Sequence, residues 1–427
     1  MLLFLVQALL WFLRVLLAGY VVYYVGMAVF ALFRAPGYPA RVPVKRFAVV
    51  VPARNEALVV DRLIESLTAQ DYPRELFDVF VVTNRCTDDT AETARRAGAN
   101  VLECTVPTSS KGEVLAFTFP ILLEKRDGAA GDGGYDAFIV FDADNIADPG
   151  FLRAMNDAAC AGVRVGQCYR DSKNPGDTVI SQCMSLYYWS LDRFINHARG
   201  VAGLSAMING TGFMIDAAWL RSTGGWNTKT LAEDIEYTTQ CLLRGQKVAW
   251  IPKAVTYDEQ PLSSAQSWTQ RLRWSSGVMQ SLRLYGAGVT RGVFRPGGFR
   301  LFDLLLNYAA PITHLLYVFT IVAEALLRLS GLHQQLFPGS DTLYRFLLSV
   351  PVSCLASSGI ALIVAAVERK GVRRMMRGIL AYGFFLYSWV PINFLSVFRT
   401  RPEWREIRHT RTLGIQDMAR DAAARKG

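Results

Sequence analysis

The longest apolar runs lie at the two ends of the chain. Residues 1–33 are apolar apart from Gln7 and Arg14, and residues 15–33 alone approach the roughly 20 residues that a helix needs to cross a bilayer. The pattern predicts one N-terminal crossing, with or without an interfacial helix before it. Three further apolar runs, which predict membrane segments, occupy residues 301–327, 346–367 and 379–398.

Basic residues beside these runs indicate their orientation. The N-terminal run is followed by arginines and lysines rather than by a small-residue cleavage site, which argues against a signal peptide and places residue 34 onward in the cytoplasm. The last run has basic flanks on both sides, at 369–377 and 399–411. Because a simple crossing puts only one flank inside, a crossing and a re-entrant or interfacial segment bent near Pro391 both stay open.

The middle of the chain alternates apolar strands with amphipathic helices. Apolar runs at 47–56, 77–82 and 135–145 each end in polar residues, and residues 57–70 and 91–97 read as helices. Strands without inside/outside alternation are typical of a parallel sheet covered on both faces. The sequence therefore predicts an α/β domain whose ligands bind beyond the carboxyl ends of the strands.

Polar side chains are concentrated at those three predicted strand ends. Residues 54–56 follow the first strand, 84–89 follow the second, and Asp142 and Asp144 end the third. Two carboxylates in a D-x-D spacing present neighbouring oxygen ligands, which suit Mg²⁺ or Mn²⁺ bridging two phosphates. The predicted edge therefore suits a nucleotide diphosphate with its metal.

Seven short motifs occur in an order that resembles a known family. They are PARNE (52–56), NRCTDDT (84–90), SKG (110–112), FDADN (141–145), NGTGF (209–213), AED (232–234) and QRLRW (270–274). Over about residues 47–284 the chain is similar to the inverting family 2 glycosyltransferases. It most resembles the membrane-integrated branch with cellulose, chitin, hyaluronan and poly-N-acetylglucosamine synthases. The resemblance implies a Rossmann-like GT-A nucleotide-sugar-binding domain with N- and C-terminal transmembrane helices.

The resemblance implies a donor and metal site at the strand ends. Asp142 and Asp144 would bind Mg²⁺ or Mn²⁺. Asn84 stands where the family usually has an acid that receives the base, yet its side-chain oxygen can still accept from the uracil N3 proton, which favours a UDP-sugar. The nucleotide-binding residues implied are Pro52, Ala53, Glu56, Asn84, Lys111 and Asp142.

The same resemblance implies the catalytic and acceptor groups. Asp234, beside Glu233, would be the general base for direct displacement, with Glu236 as the fallback, while Arg273 would offset charge on the leaving diphosphate. The residues implied for acceptor binding are Gln270, Trp274, Gly210 and Thr211. Ala232 departs from the Thr or Ser that the family usually has before this acid pair.

Composition narrows the class of protein further. The 427 residues are 51% hydrophobic with a net charge of +10, and the seven cysteines show no close pairing, which argues against a disulfide frame or zinc site. The positive charge lies largely beside apolar segments, where anionic lipid explains it better than nucleic acid does.

These observations predict a multi-pass enzyme of the cell (inner) membrane. It would transfer sugar from a UDP-sugar to a growing polysaccharide at the cytoplasmic face. Single transfer to a lipid is the alternative, and a non-catalytic scaffold is more remote. The predicted domains are an anchor at 1–34, a catalytic domain at 41–260, interfacial helices at 261–300, transmembrane segments at 301–400 and a basic tail at 401–427.

Overall fold

The computed structural model describes residues 1–35, 37–124, 134–337, 343–398, 413 and 414. The chain forms two compact units. The sheet unit comprises the described parts of Phe33–Pro175 together with Leu191–Gln260, and the helical unit comprises Met1–Leu32, Gly176–Ser190 and the described part of Pro261–Trp404. The predicted basic tail at 401–427 lies outside the described residues except for 413 and 414.

The sheet unit is built on one eight-stranded sheet with the order β3-β2-β1-β4-β7-β6-β8-β5. Its strands are β1 Phe47–Ala53, β2 Phe77–Thr83, β3 Asn100–Glu103, β4 Ala137–Val140, β5 Ile146–Ala147, β6 Val165–Ser172, β7 Phe213–Asp216 and β8 Ala249–Asp258. The first four strands in this order pair in parallel, whereas β7 pairs antiparallel with β4 and β6. The three predicted strands β1, β2 and β4 are parallel as expected, and the sheet is mixed because β7 runs antiparallel to its neighbours while β6 and β8 pair in parallel with each other.

Successive residues of the central strands face opposite sides of the sheet. In β1, Val49 and Val51 join one buried cluster with the helices at 60–68, 90–96 and 151–160, whereas Ala48 and Val50 join another with the helices at 111–124 and 233–243. Helices on both faces explain why this strand is apolar throughout. The helices of this unit are α2 Val60–Thr68, α3 Thr90–Arg96, α4 Lys111–Glu124, α5 Phe151–Cys160, α7 Ala198–Val201, α8 Ala217–Ser222 and α9 Glu233–Leu243, with a 3₁₀ turn at Arg74–Leu76 and a π-helical segment at Leu191–His197.

Within the described part of the helical unit, four segments are long and apolar enough to cross a membrane: Phe4–Phe30, Phe299–Leu329, Val350–Val367 and Val372–Phe398. Its helices are α1 Leu2–Phe30, α6 Val179–Ser190, α10 Ser264–Val293, α11 Phe299–Leu329, α12 His333–Leu336, α13 Leu343–Val367, α14 Val372–Tyr387 and α15 Trp389–Phe398. The long apolar helices at both ends of the chain agree with the predicted fold class.

The N-terminal helix is one of the predicted forms, and the helices nearer the C-terminus differ from the predictions in two places. The N-terminal run is the single helix α1, and residues 261–300 contain one long helix, α10, where several were predicted. The last apolar segment begins at Val372 rather than at 379 and breaks at Ser388, so Pro391 lies in the first turn of α15, where its missing N–H leaves no bond unmade.

The segment Gly176–Ser190 belongs to the helical unit although it lies within the predicted catalytic range 41–260. The Gln182 side chain of α6 donates to the Arg374 carbonyl at 3.2 Å and accepts from the Gly378 amide at 2.5 Å. A side chain at position 378 has no room, because a Cβ there would lie 2.3 Å from that of Gln182. From its sequence alone, an apolar helix such as α6 cannot be distinguished from a core helix of the soluble domain. Its place in the helical unit was therefore not predicted.

Candidate active site

Lys111 connects the two acidic motifs of the sheet unit. It is the first residue of α4, and its Nζ lies 2.5 Å from Asp142 Oδ1 and 3.8 Å from Glu233 Oε1. The same ammonium group donates to the Gly210 carbonyl at 2.5 Å. The SKG, FDADN, NGTGF and AED motifs, which are far apart in sequence, therefore meet around one cation.

The charge of Lys111 is stabilised by these carboxylates. Burial alone would lower its pKa, but Asp142, Glu233 and, more weakly, Asp234 outweigh burial and raise the pKa above the usual value. Lys111 is therefore a fixed positive charge at neutral pH. Such a group can neutralise a phosphate oxygen of a bound nucleotide.

Asp234 and Glu233 begin helix α9, where acids are favoured by the unpaired backbone N–H groups. Glu233 is buried, whereas Asp234 is only partly buried. A Cβ at Gly112 would lie 3.1 Å from Glu233 Cβ and 2.4 Å from Thr228 Oγ1, and Gly210, beside Asp234, has φ +85°, which favours glycine. Glycine at these two positions therefore permits the backbone to approach the acid pair closely.

Glu236 has a structural environment rather than a catalytic one. Its side chain is fully buried, and Oε2 accepts from the backbone N–H groups of Lys229 and Thr230, both at 2.7 Å. A carboxylate that holds the loop before α9 in this way is poorly placed to take a proton from an acceptor. The geometry favours Asp234 over Glu236 as the base.

Thr211 forms hydrogen bonds with the D-x-D turn. It is fully buried; its hydroxyl accepts from the Asp142 N–H at 3.0 Å and donates to Asn145 Oδ1. Asn145 in turn donates to Asp258 Oδ1 at 2.9 Å. The hydroxyl of Thr211 thus uses its donor and one lone pair inside the protein, and its implied role in acceptor binding stays a prediction that this burial does not favour.

Sequence reasoning missed a buried ionic group behind the D-x-D turn. Arg170 Nε donates to Asp258 Oδ2 at 2.6 Å. Burial raises the pKa of Asp258 to about 7 against the opposing effect of Arg170, with Asp144 adding to the rise. Burial also lowers the pKa of the nearby Lys173 ammonium, while Asp144 opposes this shift. Asp258 is the last residue of β8, and Asp142 closely follows β4. An acid at a strand end is thus the sequence signal that could have identified Asp258.

Asn84 carries an unsatisfied acceptor at the predicted base-binding position. Its backbone N–H donates to the Ala53 carbonyl at 2.9 Å, which joins the ends of β1 and β2 next to Pro52. The residue is 7% exposed, and within the described part of the chain its Oδ1 has no hydrogen-bond donor. A buried acceptor without a donor costs free energy unless a ligand satisfies it.

The loops around Asn84 are held by short side chains. Thr90 Oγ1 accepts from the Glu56 N–H at 2.9 Å, and Asn55, at φ +58°, accepts from the Thr87 N–H at 2.8 Å. Hydrogen bonds from Thr90 and Ala57 to the Asp88 carboxylate lower its pKa despite the opposing effect of burial. These hydrogen bonds hold the loop after β1 against the loop after β2.

The residues of QRLRW lie on α10 in the helical unit. Gln270 Oε1 is buried and has no donor among the described residues, and Arg273 forms no ion pair with any described carboxylate. The Trp274 ring makes an edge contact with Tyr188 of α6, with ring centroids 5.9 Å apart. Gln270 and Arg273 thus retain hydrogen-bonding and charge capacity within this unit.

The carboxylates of Asp142 and Asp144 suit a divalent metal that also binds a phosphate ligand. Among the described residues no group of three or more His, Cys, Asp or Glu side chains could hold a metal by itself. Asp142 and Asp144 supply hard oxygen ligands, and the Asp142 side chain is 40% exposed. Two carboxylates with phosphate oxygens completing the shell match the preference of Mg²⁺ or Mn²⁺.

The family match covers more than half of the chain. The family described as "Glycosyltransferase like family 2" matches residues 43–277. The chain belongs to glycosyltransferase family 2. The matched range of this glycosyltransferase contains every motif described above, from PARNE to QRLRW.

Relatives of this glycosyltransferase include both polymer and lipid enzymes. It is 26% identical over 242 residues to the probable glycosyltransferase YdaM of Bacillus subtilis, covering 54% of this chain and 55% of that protein. It is 23% identical over 268 residues to the beta-monoglucosyldiacylglycerol synthase of Synechocystis (57% and 50% covered), and 22% over 230 residues to the poly-beta-1,6-N-acetyl-D-glucosamine synthase of Staphylococcus aureus (52% and 52%). The matches thus span about half the length of these relatives.

A solved structure shares the fold. The mannosyltransferase PcManGT from Pyrobaculum calidifontis, in complex with GDP-Man and Mn²⁺, superposes with a TM-score of 0.58 at 19% identity, covering 90% of this chain and 99% of that one. The likeness confirms the GT-A fold predicted for this glycosyltransferase.

Proposed function

We propose that this enzyme transfers a sugar from a UDP-sugar, with inversion, to a growing polysaccharide at the cytoplasmic face of the membrane. The contact of Lys111 with both Asp142 and Glu233 carries the proposal. It brings the acid that would hold the donor diphosphate next to the acid pair that would activate the acceptor. Inverting transfer needs these two functions on opposite sides of one anomeric carbon.

The mechanism follows from these positions. A divalent metal held by Asp142 and Asp144 would neutralise the diphosphate and make it a better leaving group. Lys111 binds a phosphate oxygen through its fixed positive charge, and Arg273 offsets the charge that builds as the bond breaks. Asp234 accepts the proton of the acceptor hydroxyl while that oxygen attacks the anomeric carbon.

The unsatisfied Oδ1 of Asn84 supports uridine as the base. The N3–H of uracil can donate to it, and Glu56 lies in the loop that follows the neighbouring strand β1. PcManGT, which shares the fold, was solved with GDP-Man, so the fold itself accommodates a different base. The choice of uridine within the proposal therefore depends on the side chain at position 84.

Asn84→Ala is expected to weaken inhibition by UDP roughly tenfold, the upper range for one net hydrogen bond, and to leave the maximal transfer rate nearly unchanged. Asn84→Asp keeps an acceptor oxygen and is the matched control. Competitive inhibition constants for UDP and GDP measure the effect. Equal inhibition of the wild type by the two nucleotides would remove the reason for naming uridine.

A polysaccharide acceptor and a lipid acceptor are both represented among the relatives, so the lipid is the second candidate. The described residues hold four segments that could cross a membrane, and this number supports the lipid acceptor because processive synthases usually have more crossings. Purified enzyme in lipid, incubated with radiolabelled UDP- and GDP-sugars, distinguishes the two by product size. A ladder of oligosaccharides supports polymer synthesis, a single lipid-linked sugar supports the alternative, and no transfer from any UDP-sugar refutes the proposal.

The basic flanks support a cytoplasmic catalytic domain in the inner membrane. Arg34, Arg41, Lys45 and Arg46 follow α1 directly, and this charge is typical of the cytoplasmic side. The division into a terminal anchor, catalytic domain, interfacial α10 and C-terminal membrane segments is part of the same proposal. Single cysteines placed in the sheet unit, with the protein in inverted membrane vesicles, can be labelled with a thiol reagent to test this orientation.

A further inference from the structure

Arg271, the second residue of QRLRW, is a buried cation without a buried anion. It is 3% exposed, and no carboxylate within the described ranges forms an ion pair with it. Its guanidinium donates to Ser388 Oγ at 2.7 Å, at the break between α14 and α15, and to the Ser267 carbonyl at 3.3 Å. Burial lowers the pKa of Arg271 to about 10, so the group remains charged at neutral pH. Such a charge is costly unless its surroundings stabilise it.

Two aromatic rings supply that stabilisation. Arg271 Cζ lies 4.4 Å from the ring centroid of Phe385 and 5.3 Å from that of Trp389, one on each side of the α14–α15 break. Cation–π contacts are worth more when the cation is desolvated, as it is here. The guanidinium therefore joins α10 to both segments of the last apolar stretch.

The same rings are linked to Trp274 through α6. Tyr187 contacts Trp389 at 5.5 Å and Phe385 at 6.4 Å between centroids, and it contacts Tyr188 at 5.8 Å. Tyr188 makes the edge contact with Trp274 at 5.9 Å. We call Tyr187, Tyr188, Phe385 and Trp389 the aromatic cluster. Both Arg271 and Trp274 of QRLRW thus contact one cluster, three residues apart on one helix.

We propose that Arg271 is a positioning residue, which holds the aromatic cluster in place so that Trp274 keeps one orientation towards the acceptor sugar. The proposal rests on the proposed function, in which Trp274 stacks against the acceptor. Arg271 itself faces the protein interior and contacts no substrate. A planar guanidinium can stack on rings while it donates to a hydroxyl, which a lysine ammonium cannot reproduce.

Arg283 is a matched control on the same helix. It lies about three turns further along α10, is exposed, and donates to the Val397 carbonyl of α15 at 2.7 Å. Like Arg271 it joins α10 to α15, but among the described residues it does not contact the aromatic cluster. Arg283→Met therefore removes a comparable connection between helices without disturbing Trp274.

Full-length enzyme labelled with fluorotryptophan, in nanodiscs of one lipid composition, tests the proposal by fluorine NMR and kinetics. The Trp274 resonance is assigned by its loss in Trp274→Phe. Arg271→Met is expected to broaden or split this resonance and to raise the acceptor KM about tenfold, a value between those of an exposed and a fully desolvated cation–π contact. The donor KM should stay unchanged. Arg283→Met should match the wild type in all three measurements.

Two results would overturn the proposal. One is a single unshifted Trp274 resonance in Arg271→Met, and the other is an equal change in Arg283→Met. If Arg271→Met does not fold, Ser388→Ala removes one hydrogen bond of the guanidinium and should give a smaller change of the same kind; an unaltered resonance there counts against the proposal. If the wild type transfers no sugar, the proposed function fails, while the resonance still decides the role of Arg271.

Discussion

Asp234→Asn is expected to lower glycosyl transfer by roughly two to four orders of magnitude, the typical worth of general acid–base catalysis. Asparagine keeps the shape of the side chain but cannot take the proton from the acceptor hydroxyl. Donor binding should barely change, because the contacts of Lys111 with Asp142 and Glu233 do not require Asp234. Transfer rates at saturating donor, together with UDP inhibition constants, measure both effects.

Glu236→Gln is the control for Asp234→Asn. The Glu236 carboxylate accepts hydrogen bonds from two backbone N–H groups. Glutamine at this position should therefore lower thermal stability and preserve the transfer rate per folded molecule. Near-normal transfer by Asp234→Asn together with an inactive Glu236→Gln would identify Glu236 as the general base. Activity in both variants would remove the catalytic interpretation of the AED segment.

Asp144→Asn is expected to reduce transfer by about three orders of magnitude or more, since a metal contributes several kcal/mol to stabilising the leaving diphosphate. Excess chelator should have the same effect on the wild type, and added Mg²⁺ or Mn²⁺ should restore it. Neutralising one of two neighbouring carboxylates halves the charge that the protein offers the metal. Metal-dependent transfer rates for the variant and the wild type measure the loss.

Asp136→Asn is the matched control at the other end of the same strand. Asp136 pairs with Lys45 at 3.1 Å and accepts from the Arg46 N–H at 2.9 Å, away from the D-x-D turn. The Asp136→Asn substitution should therefore reduce stability slightly and leave the metal dependence of transfer unchanged. Full turnover of the wild type in excess chelator would contradict the assignment of Asp142 and Asp144.

The strand ends were predictable because local pattern determines them. Apolar runs such as 77–82 can only be buried strands or helix cores, and the polar residues directly after them must lie at an edge of the sheet. For that reason Asp142 and Asn84 were predicted at the same edge. The short edge strand β3 and the antiparallel β7 were not predicted, since four-residue strands carry too little periodicity to recognise.

The roles of individual polar residues depended on three-dimensional contacts. Sequence treated Thr211 as an acceptor ligand and Glu236 as a fallback base, yet both are fully buried and hydrogen-bonded within the protein. Asp258 is the converse case, a residue that attracted no attention in sequence and lies behind the D-x-D turn. Burial and partner choice are set by residues distant in the chain, so no local pattern reveals them.

The sequence by itself determined the apolar terminal helices, the α/β domain between them and the motifs that identify a family 2 glycosyltransferase. These follow from hydrophobic periodicity and from residue types at short spacing, which act locally. Only the tertiary structure decided that Lys111 joins two acid pairs, that α6 leaves the sheet unit for the helical unit, and that Arg271 and Trp274 share one aromatic cluster. Each depends on contacts between residues about 30 to more than 100 positions apart, because packing and charge act through space.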